Sequence, residues 1–190
     1  MRGAESSFAA QGGKSGGCGI PAGATSVELT ATAVGASSGF LRLWPTGATP
    51  PNATFMNYDS AFNVSNSGTI ALCSSGCSST ADLTARAYGN STDLVIDVLG
   101  YYEAPLAAVI NADGTVRSGS RVVANFKLAL GGYGIQFDRN VAGCAIQATP
   151  EGTTRTATAI IVSDGASVEV RTSNSSASPI DTAFSLTVTC

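Results

Sequence analysis

The chain has 190 residues, of which 44% are hydrophobic and 12% are charged, and its formal net charge is −3. Its ten Lys and Arg residues are scattered, whereas a nucleic-acid groove or an anionic membrane surface requires clustered cations, so neither partner is expected. The absence of histidine excludes Ser-His-Asp and Cys-His nucleophile systems and removes most zinc and iron sites. No cofactor is expected. The sequence contains no apolar run of about 18 residues, so membrane insertion is not expected either.

Residues 1–17 are rich in Gly, Ser and Ala, which predicts a flexible lead-in or one poorly paired edge strand. Beyond them, short segments of alternating apolar and polar residues are separated by turns that contain Gly, Pro or Asn. This pattern predicts β-strands, and no segment has a helical period. In the first half of the chain, strands are predicted at residues 27–33, 40–44, 53–58, 69–73, 82–88 and 93–102.

The segment 93–102 is the most apolar of these strands, which predicts a central position in its sheet. Pro105 then breaks the pattern, and we place a domain boundary near residue 104. In the second half, strands are predicted at residues 107–110, 121–130, 133–137, 143–148, 156–162, 168–171 and 183–188.

These strand lengths and turn spacings predict an all-β chain with two tandem antiparallel β-sandwich domains, either Ig-like or jelly-roll-like. The first domain is predicted at residues 18–104 and the second at residues 105–190. Each half is long enough for one small sandwich with its own core.

The chain has five cysteines, and without histidine their spacing favours disulfides over a metal site. Cys73 and Cys77 are separated by three residues, the last of which is Gly76. A three-residue hairpin loop with a left-handed glycine places its flanking residues opposite each other, within reach of a disulfide. The alternative interpretation is a pair of unpaired thiols in a cytosolic loop.

Cys144 and Cys190 both lie in the second half, and Cys190 is the last residue of the sequence. A disulfide at this position would hold a terminal strand that otherwise frays. Three states remain open for Cys18: a free thiol, a bond to another chain, or a bond to one member of the Cys73 and Cys77 pair.

Three motifs of the first half resemble a domain of exported bacterial proteins. That domain has a Cys-Gly-Val/Ile-Pro start, a Leu-x-x-Trp/Tyr-Pro strand and an Asp-Val-x-Gly-Tyr-Phe/Tyr end. The matching segments are residues 18–24 (CGIPAGA), 40–45 (FLRLWP) and 95–102 (VIDVLGYY), and the resemblance covers roughly residues 8–102.

The second half is similar to a Cys-terminated module of secreted bacterial proteins. Residues 133–145 (YGIQFDRNVAGCA) match its Tyr-x-Val-x-Phe-x-Arg-x-Val-x-Gly-Cys motif, and residues 184–190 (FSLTVTC) match its end. This resemblance implies a disulfide between Cys144 and Cys190. Both resemblances imply export, β-structure and an accessory or surface role, and neither implies catalytic residues.

Candidate catalytic groups are few. Asp93 and Asp97 share one face of a predicted strand, as a carboxylate-based hydrolase would need, but we favour a structural role for both. Lys14 lies in the lead-in, and Lys127 is predicted to point outward from a strand. Residues 111–115 (NADGT) are interpreted as an Asp-Gly turn rather than a calcium loop. We therefore expect the protein not to be an enzyme.

Phe40, Arg42 and Trp44 share one face of a predicted strand and form a candidate binding patch. If that face is exposed, it suits a sugar ring or a protein partner. The alternative is a Trp44 in the core with Arg42 at a sheet edge.

The function predicted from the sequence is a non-catalytic structural or adhesive module of an exported bacterial protein, secreted or displayed on the cell surface. Its expected partners are protein surfaces or further copies of itself on a surface or filament. A carbohydrate-binding accessory module is the alternative.

Overall fold

The computed structural model describes residues 4–12, 16–21, 23–73 and 81–190. Within these ranges the protein contains fifteen β-strands and no helix, and all the strand pairs are antiparallel. The prediction of an all-β chain with antiparallel sheets is thus confirmed. The chain divides into two compact units, Met1–Glu103 and Ala104–Cys190.

Within the described ranges the protein has no helix that could span a membrane.

The described part of the first unit contains seven strands. They are β1 (Glu5–Phe8), β2 (Ala24–Val34), β3 (Gly39–Pro45), β4 (Met56–Tyr58), β5 (Val64–Ala71), β6 (Leu83–Gly89) and β7 (Asp93–Glu103). They form a four-stranded sheet in the order β1-β6-β3-β4 and a three-stranded sheet in the order β5-β2-β7.

One hydrophobic core joins the inner faces of these two sheets. The alternation in β2 puts Val27, Leu29, Ala31 and Ala33 inward, and all four are fully buried. From the other sheet, β3 and β6 contribute inward residues that are likewise buried: Leu41, Leu43, Leu83, Ala85 and Ala87. The core therefore depends on the period-two pattern of these three strands.

The second unit contains eight strands. They are β8 (Leu106–Ile110), β9 (Val116–Ser120), β10 (Val122–Ala129), β11 (Gly132–Phe137), β12 (Ala145–Pro150), β13 (Arg155–Ile161), β14 (Ser167–Asn174) and β15 (Phe184–Thr189). They form two four-stranded sheets, in the orders β10-β11-β14-β13 and β12-β15-β8-β9.

The second unit also has one core between its two sheets. Tyr133 and Phe184, one from each sheet, meet edge to face with their ring centroids 5.0 Å apart. Buried aliphatic residues from β8, β11, β14 and β15 surround them: Leu106, Ile110, Ile135, Val168, Val170, Leu186 and Val188.

The position of β7 differs from the prediction. It pairs with β2 on one side, and no described strand pairs with its other side, so β7 is an edge strand rather than a central one. Its inward residues Leu94, Ile96 and Val98 are only half-buried against the core. The high apolar content of this strand therefore does not reflect a central position, because Val95 and Leu99 on its other face are exposed.

Two further elements refine the sequence interpretation. Glu5–Phe8 forms the edge strand β1, which pairs with β6 in register Glu5 to Arg86. Strand β9 was not predicted, because Val116–Ser120 has no apolar alternation; it pairs with β8 along the rim of its sheet.

Candidate functional site

The disulfides hold strand ends. Cys144 and Cys190 are bonded, and they flank the β12 and β15 pair, in which Ala145 lies opposite Thr189. Cys73 is also disulfide-bonded, while Cys77, its predicted partner, lies outside the described residues. Cys18 is free and exposed. A disulfide in the second unit is compatible with an oxidising, extracellular location.

Phe40, Arg42 and Trp44 lie on the outer face of β3, opposite the inward Leu41 and Leu43. Their partners on β6 are Tyr88, Arg86 and Thr84, respectively. The face therefore carries three cross-strand pairs of side chains: two aromatic rings, two arginines, and Trp44 with Thr84. We call Phe40, Arg42, Arg86 and Tyr88 the arginine–aromatic cluster.

The rings of Phe40 and Tyr88 are stacked, with centroids 4.9 Å apart and planes within 2° of parallel. The guanidinium carbon of Arg42 lies 4.8 Å from the Tyr88 centroid and 5.4 Å from the Phe40 centroid. The guanidinium carbon of Arg86 lies 4.9 Å from the Tyr88 centroid. Each charge is thus held by cation–π contact with the rings.

The two arginines have little compensating charge. Glu5 approaches Arg86 at 3.8 Å from Nη1, and no carboxylate among the described residues pairs with Arg42. The Nε atoms of both arginines are buried and have no hydrogen-bond acceptor. Like charges placed directly opposite on neighbouring strands destabilise a sheet, so the cluster combines a repulsive pair with unused donors.

Trp44 is only 4% exposed, so it offers no open platform for a sugar ring. Its neighbour Thr84 is also buried, and the Thr84 hydroxyl lies 3.0 Å from the hydroxyls of both Ser7 and Thr46. The ring that lies beside Phe40 on this face is Tyr88. The sequence could not place Tyr88 and Arg86 there, because their position depends on the β3 and β6 register.

Asp93 and Asp97 both lie on the outward side of β7, and Asp97 is opposite Thr30 of β2. The two residues are four positions apart along the strand, so their Cα atoms are about 13 Å apart. Paired glycosidase carboxylates are about 5–9.5 Å apart. The spacing therefore does not suit that chemistry.

Lys127 does not point outward as predicted. It lies opposite the buried Tyr133, and its Nζ atom is 4.1 Å from the Tyr133 ring centroid. The ammonium group donates to Asp181 at 2.6 Å and to the carbonyl of Ala129. Lys127 remains exposed, and its charge is paired with Asp181 at the rim of the core. Lys14 lies outside the described residues.

Asp113 forms a turn, as predicted. Its Oδ1 atom accepts hydrogen bonds from the Thr115 hydroxyl at 2.7 Å and the Thr115 backbone N–H at 2.9 Å. These bonds lower the pKa of the Asp113 carboxyl, the hydroxyl having the larger effect. In the described part of the chain, no three Cys, Asp or Glu side chains lie close enough together to hold a metal ion.

Strand β7 carries exposed apolar side chains next to the edge that no described strand covers. They lie on both faces, because the adjacent Tyr101 and Tyr102 are opposite Val27 and Ser26, respectively. Val95, Leu99, Tyr101 and Tyr102 are 46–65% exposed. The pairing with β2 is irregular near Leu99, where Glu28 lies opposite Gly100 and Leu29 lies opposite Val98. The result is an eleven-residue edge strand with apolar and aromatic surface.

An open groove of about 540 Å³ lies on the outer side of the sheet that contains β10 and β11. Leu128 and Leu130 form one wall, Gly132 lies between, and Arg171 lies on the opposite wall. Arg171 donates from Nε to Glu169 at 2.6 Å, so the groove has no uncompensated charge with which to select a ligand.

No protein-family model matches the chain, and no curated protein matches it. Among solved structures, a chain described as "Red Clover Necrotic Mosaic Virus" is 14% identical over 88% of this chain and 78% of that chain, with a TM-score of 0.19. A likeness at that TM-score carries no argument about the fold or function of this protein.

Proposed function

We propose that the protein is a non-catalytic, extracellular structural or adhesive module of an exported bacterial protein, built from two tandem β-sandwich domains. The separate core of each unit supports the tandem arrangement. The sequence resemblances of both halves support export, and the disulfide between Cys144 and Cys190 is compatible with it. Secretion or display on a cell surface is the location that fits these features.

The observation that carries the proposal is the edge of β7. An unpaired strand presents a row of N–H and C=O groups to which another chain can add a strand. Most proteins protect such edges with short strands or charged side chains. Here the strand is eleven residues long. It carries Asp93 and Asp97, but it also exposes Val95, Leu99 and Tyr101 beside its open edge, and this apolar surface is suited to contact with another copy or another protein.

Sedimentation velocity of the full chain over a range of concentrations tests this proposal. Leu99→Lys places a charge beside the edge, and we expect it to weaken association at least tenfold, the change that corresponds to about 1.4 kcal/mol. Leu130→Lys is the matched control, because Leu130 is 64% exposed against 65% for Leu99 and lies outside β7.

Equal association of the wild type and the Leu99→Lys variant would contradict a role for this edge. A wild type that stays monomeric at every concentration and binds no surface of the source organism would contradict the adhesive function itself.

Carbohydrate binding is the second candidate function, and the arginine–aromatic cluster is the observation that favours it. Aromatic rings beside hydrogen-bond donors are a common means of holding sugars at protein surfaces. A glycan array probed with the wild type and with a Phe40→Ala variant tests the idea. Phe40 is preferred to Trp44 for this purpose, because removing the buried Trp44 would disturb the fold.

A further inference from the structure

We infer that the arginine–aromatic cluster binds an anionic group, namely a carboxylate or sulfate of an acidic polysaccharide. The inference rests on the second candidate function and names the chemical class of its ligand. Phe40 and Tyr88 would contact the sugar ring, while Arg42 and Arg86 would hold the anion.

Charge is the first argument. Arg42 and Arg86 lie directly opposite each other on β3 and β6. Among the described residues, the one carboxylate that forms an ion pair with either arginine is that of Glu5, at 3.8 Å from Arg86. Two arginines elsewhere in the described chain have closer carboxylates: Arg121 donates to Asp138 at 2.9 Å, and Arg171 donates to Glu169 at 2.6 Å. A bound anion would remove the repulsion that this pair carries.

Hydrogen-bonding capacity is the second argument. A guanidinium group has five N–H donors and no acceptor. In both arginines the Nε atom is buried without a partner, so ligand contacts fall to the terminal nitrogens. Arg86 Nη1 is too far from Glu5 for a hydrogen bond. The terminal N–H groups of both guanidinium groups are therefore available to a ligand. Carboxylates and sulfates match such forks in shape and charge.

Preorganisation is the third argument. The stacked rings hold Arg42 by cation–π contact with both Phe40 and Tyr88, and hold Arg86 by contact with Tyr88. Long side chains usually lose rotamer freedom when they bind, and these two are already restrained. The half-buried rings also leave apolar surface next to the charges. Two cations form no extended track for nucleic acid, which favours a short anionic group on a sugar.

Glu5 supplies an internal check. Its carboxylate lies near Arg86 and is half-exposed, so it competes with an incoming anion. Glu5→Gln removes that competitor without changing the arginines. We expect the variant to bind an acidic polysaccharide about two- to fivefold more tightly, as the loss of a partly screened ion pair allows.

The experiment is affinity electrophoresis of the full chain in gels that contain polygalacturonate, dextran sulfate or neutral dextran. Arg42→Gln and Arg86→Gln should each weaken binding to the two acidic polymers at least about tenfold, because each loses a charge-assisted hydrogen bond. Arg155→Gln is the matched control: Arg155 lies on β13, outside the cluster, and its change in net charge is identical. Arg42→Lys keeps the positive charge but loses the paired, planar N–H donors of the guanidinium group. This variant should therefore bind the acidic polymers with intermediate strength.

Each outcome is decisive. Loss of acidic-polymer binding in both cluster variants, with Arg155→Gln retained, supports the site, provided that thermal unfolding shows the variants to be folded. Equal binding of neutral dextran through the same residues overturns the acidic ligand but leaves carbohydrate binding intact. An equal loss in Arg155→Gln overturns the site, and no binding to any polysaccharide overturns both the inference and the second candidate function.

Discussion

The phenol oxygen of Tyr133 accepts a hydrogen bond from the backbone N–H of Thr182 at 3.1 Å, and its hydroxyl donates to the carbonyl of Ala112 at 3.0 Å. Tyr133 and Thr182 are buried. Ala112 follows β8 and Thr182 precedes β15, so one side chain of the opposite sheet connects the segments at the same end of two paired strands. The polar end of a core tyrosine therefore fixes the geometry of both connections.

Tyr133→Phe should lower the free energy of unfolding by about 1–3 kcal/mol, because it leaves the buried N–H of Thr182 without an acceptor. Urea unfolding of the full chain measures the change. Tyr102→Phe on the exposed side of β7 serves as the control, and it should have little effect. Similar stabilities for the Tyr133→Phe variant and the wild type would show that the Tyr133 hydroxyl is dispensable.

Asp181 should make stability depend on acid pH. The hydrogen bond from Lys127 has the largest effect and the backbone N–H of Gly131 the next, and together they lower the pKa of Asp181. A carboxyl with a lowered pKa stabilises the folded state above its unfolded pKa of about 3.9, and this stabilisation disappears as the pH falls through the lowered folded value.

Asp181→Asn should therefore be less stable than the wild type at neutral pH, and the difference should shrink below a pH of about 4. Thermal unfolding across that range gives the measurement. A stability difference that stays constant through the acid range would contradict the assignment of the effect to this carboxyl.

The disulfide between Cys144 and Cys190 should contribute substantially to the stability of the second unit. Its sequence separation is 46 residues, for which the chain-entropy relation gives about 4 kcal/mol of destabilisation of the unfolded state. A Cys144→Ser, Cys190→Ser double variant should unfold at lower denaturant concentration by a corresponding amount. Unchanged unfolding of that variant would indicate that the β12 and β15 pairing alone fixes the strand end.

Trp44 is the single tryptophan of the chain and is 4% exposed. Its fluorescence should therefore be blue-shifted in the folded protein and poorly quenched by acrylamide. Unfolding should shift the emission to the red and restore quenching. Strong quenching in the native protein would contradict this burial. It would show that the indole is at the surface, where Trp44 could contact a ligand together with Phe40 and Arg42.

The period-two alternation of apolar and polar residues is enough to predict strands and which of their side chains point inward. Val27, Leu29, Ala31 and Ala33 alternate with polar residues in the sequence and are all buried. Alternation cannot state which strands are neighbours, because pairing is decided by contacts distant in sequence. For that reason the apolar sequence of β7 predicts a central position, although the strand lies at an edge.

The candidate site shows the same division. Phe40 and Arg42 could be placed on one face from their spacing alone. Arg86 and Tyr88, more than forty positions away, enter the site only through the register of β6 against β3. Lys127 shows a different limit, since a long side chain can occupy an inward position when a carboxylate such as Asp181 meets its charge at the rim.

Leu106, the first residue of β8, lies opposite Val188, near the end of β15. A pulling force applied at those two residues acts across the hydrogen bonds of the ladder and loads them one after another, as in opening a zipper. Strands pulled from opposite ends would instead share the force among all their bonds. The pairing of β8 with β15 should therefore separate at lower tension than strands pulled from opposite ends, while the disulfide between Cys144 and Cys190 keeps the end of β15 attached to the start of β12.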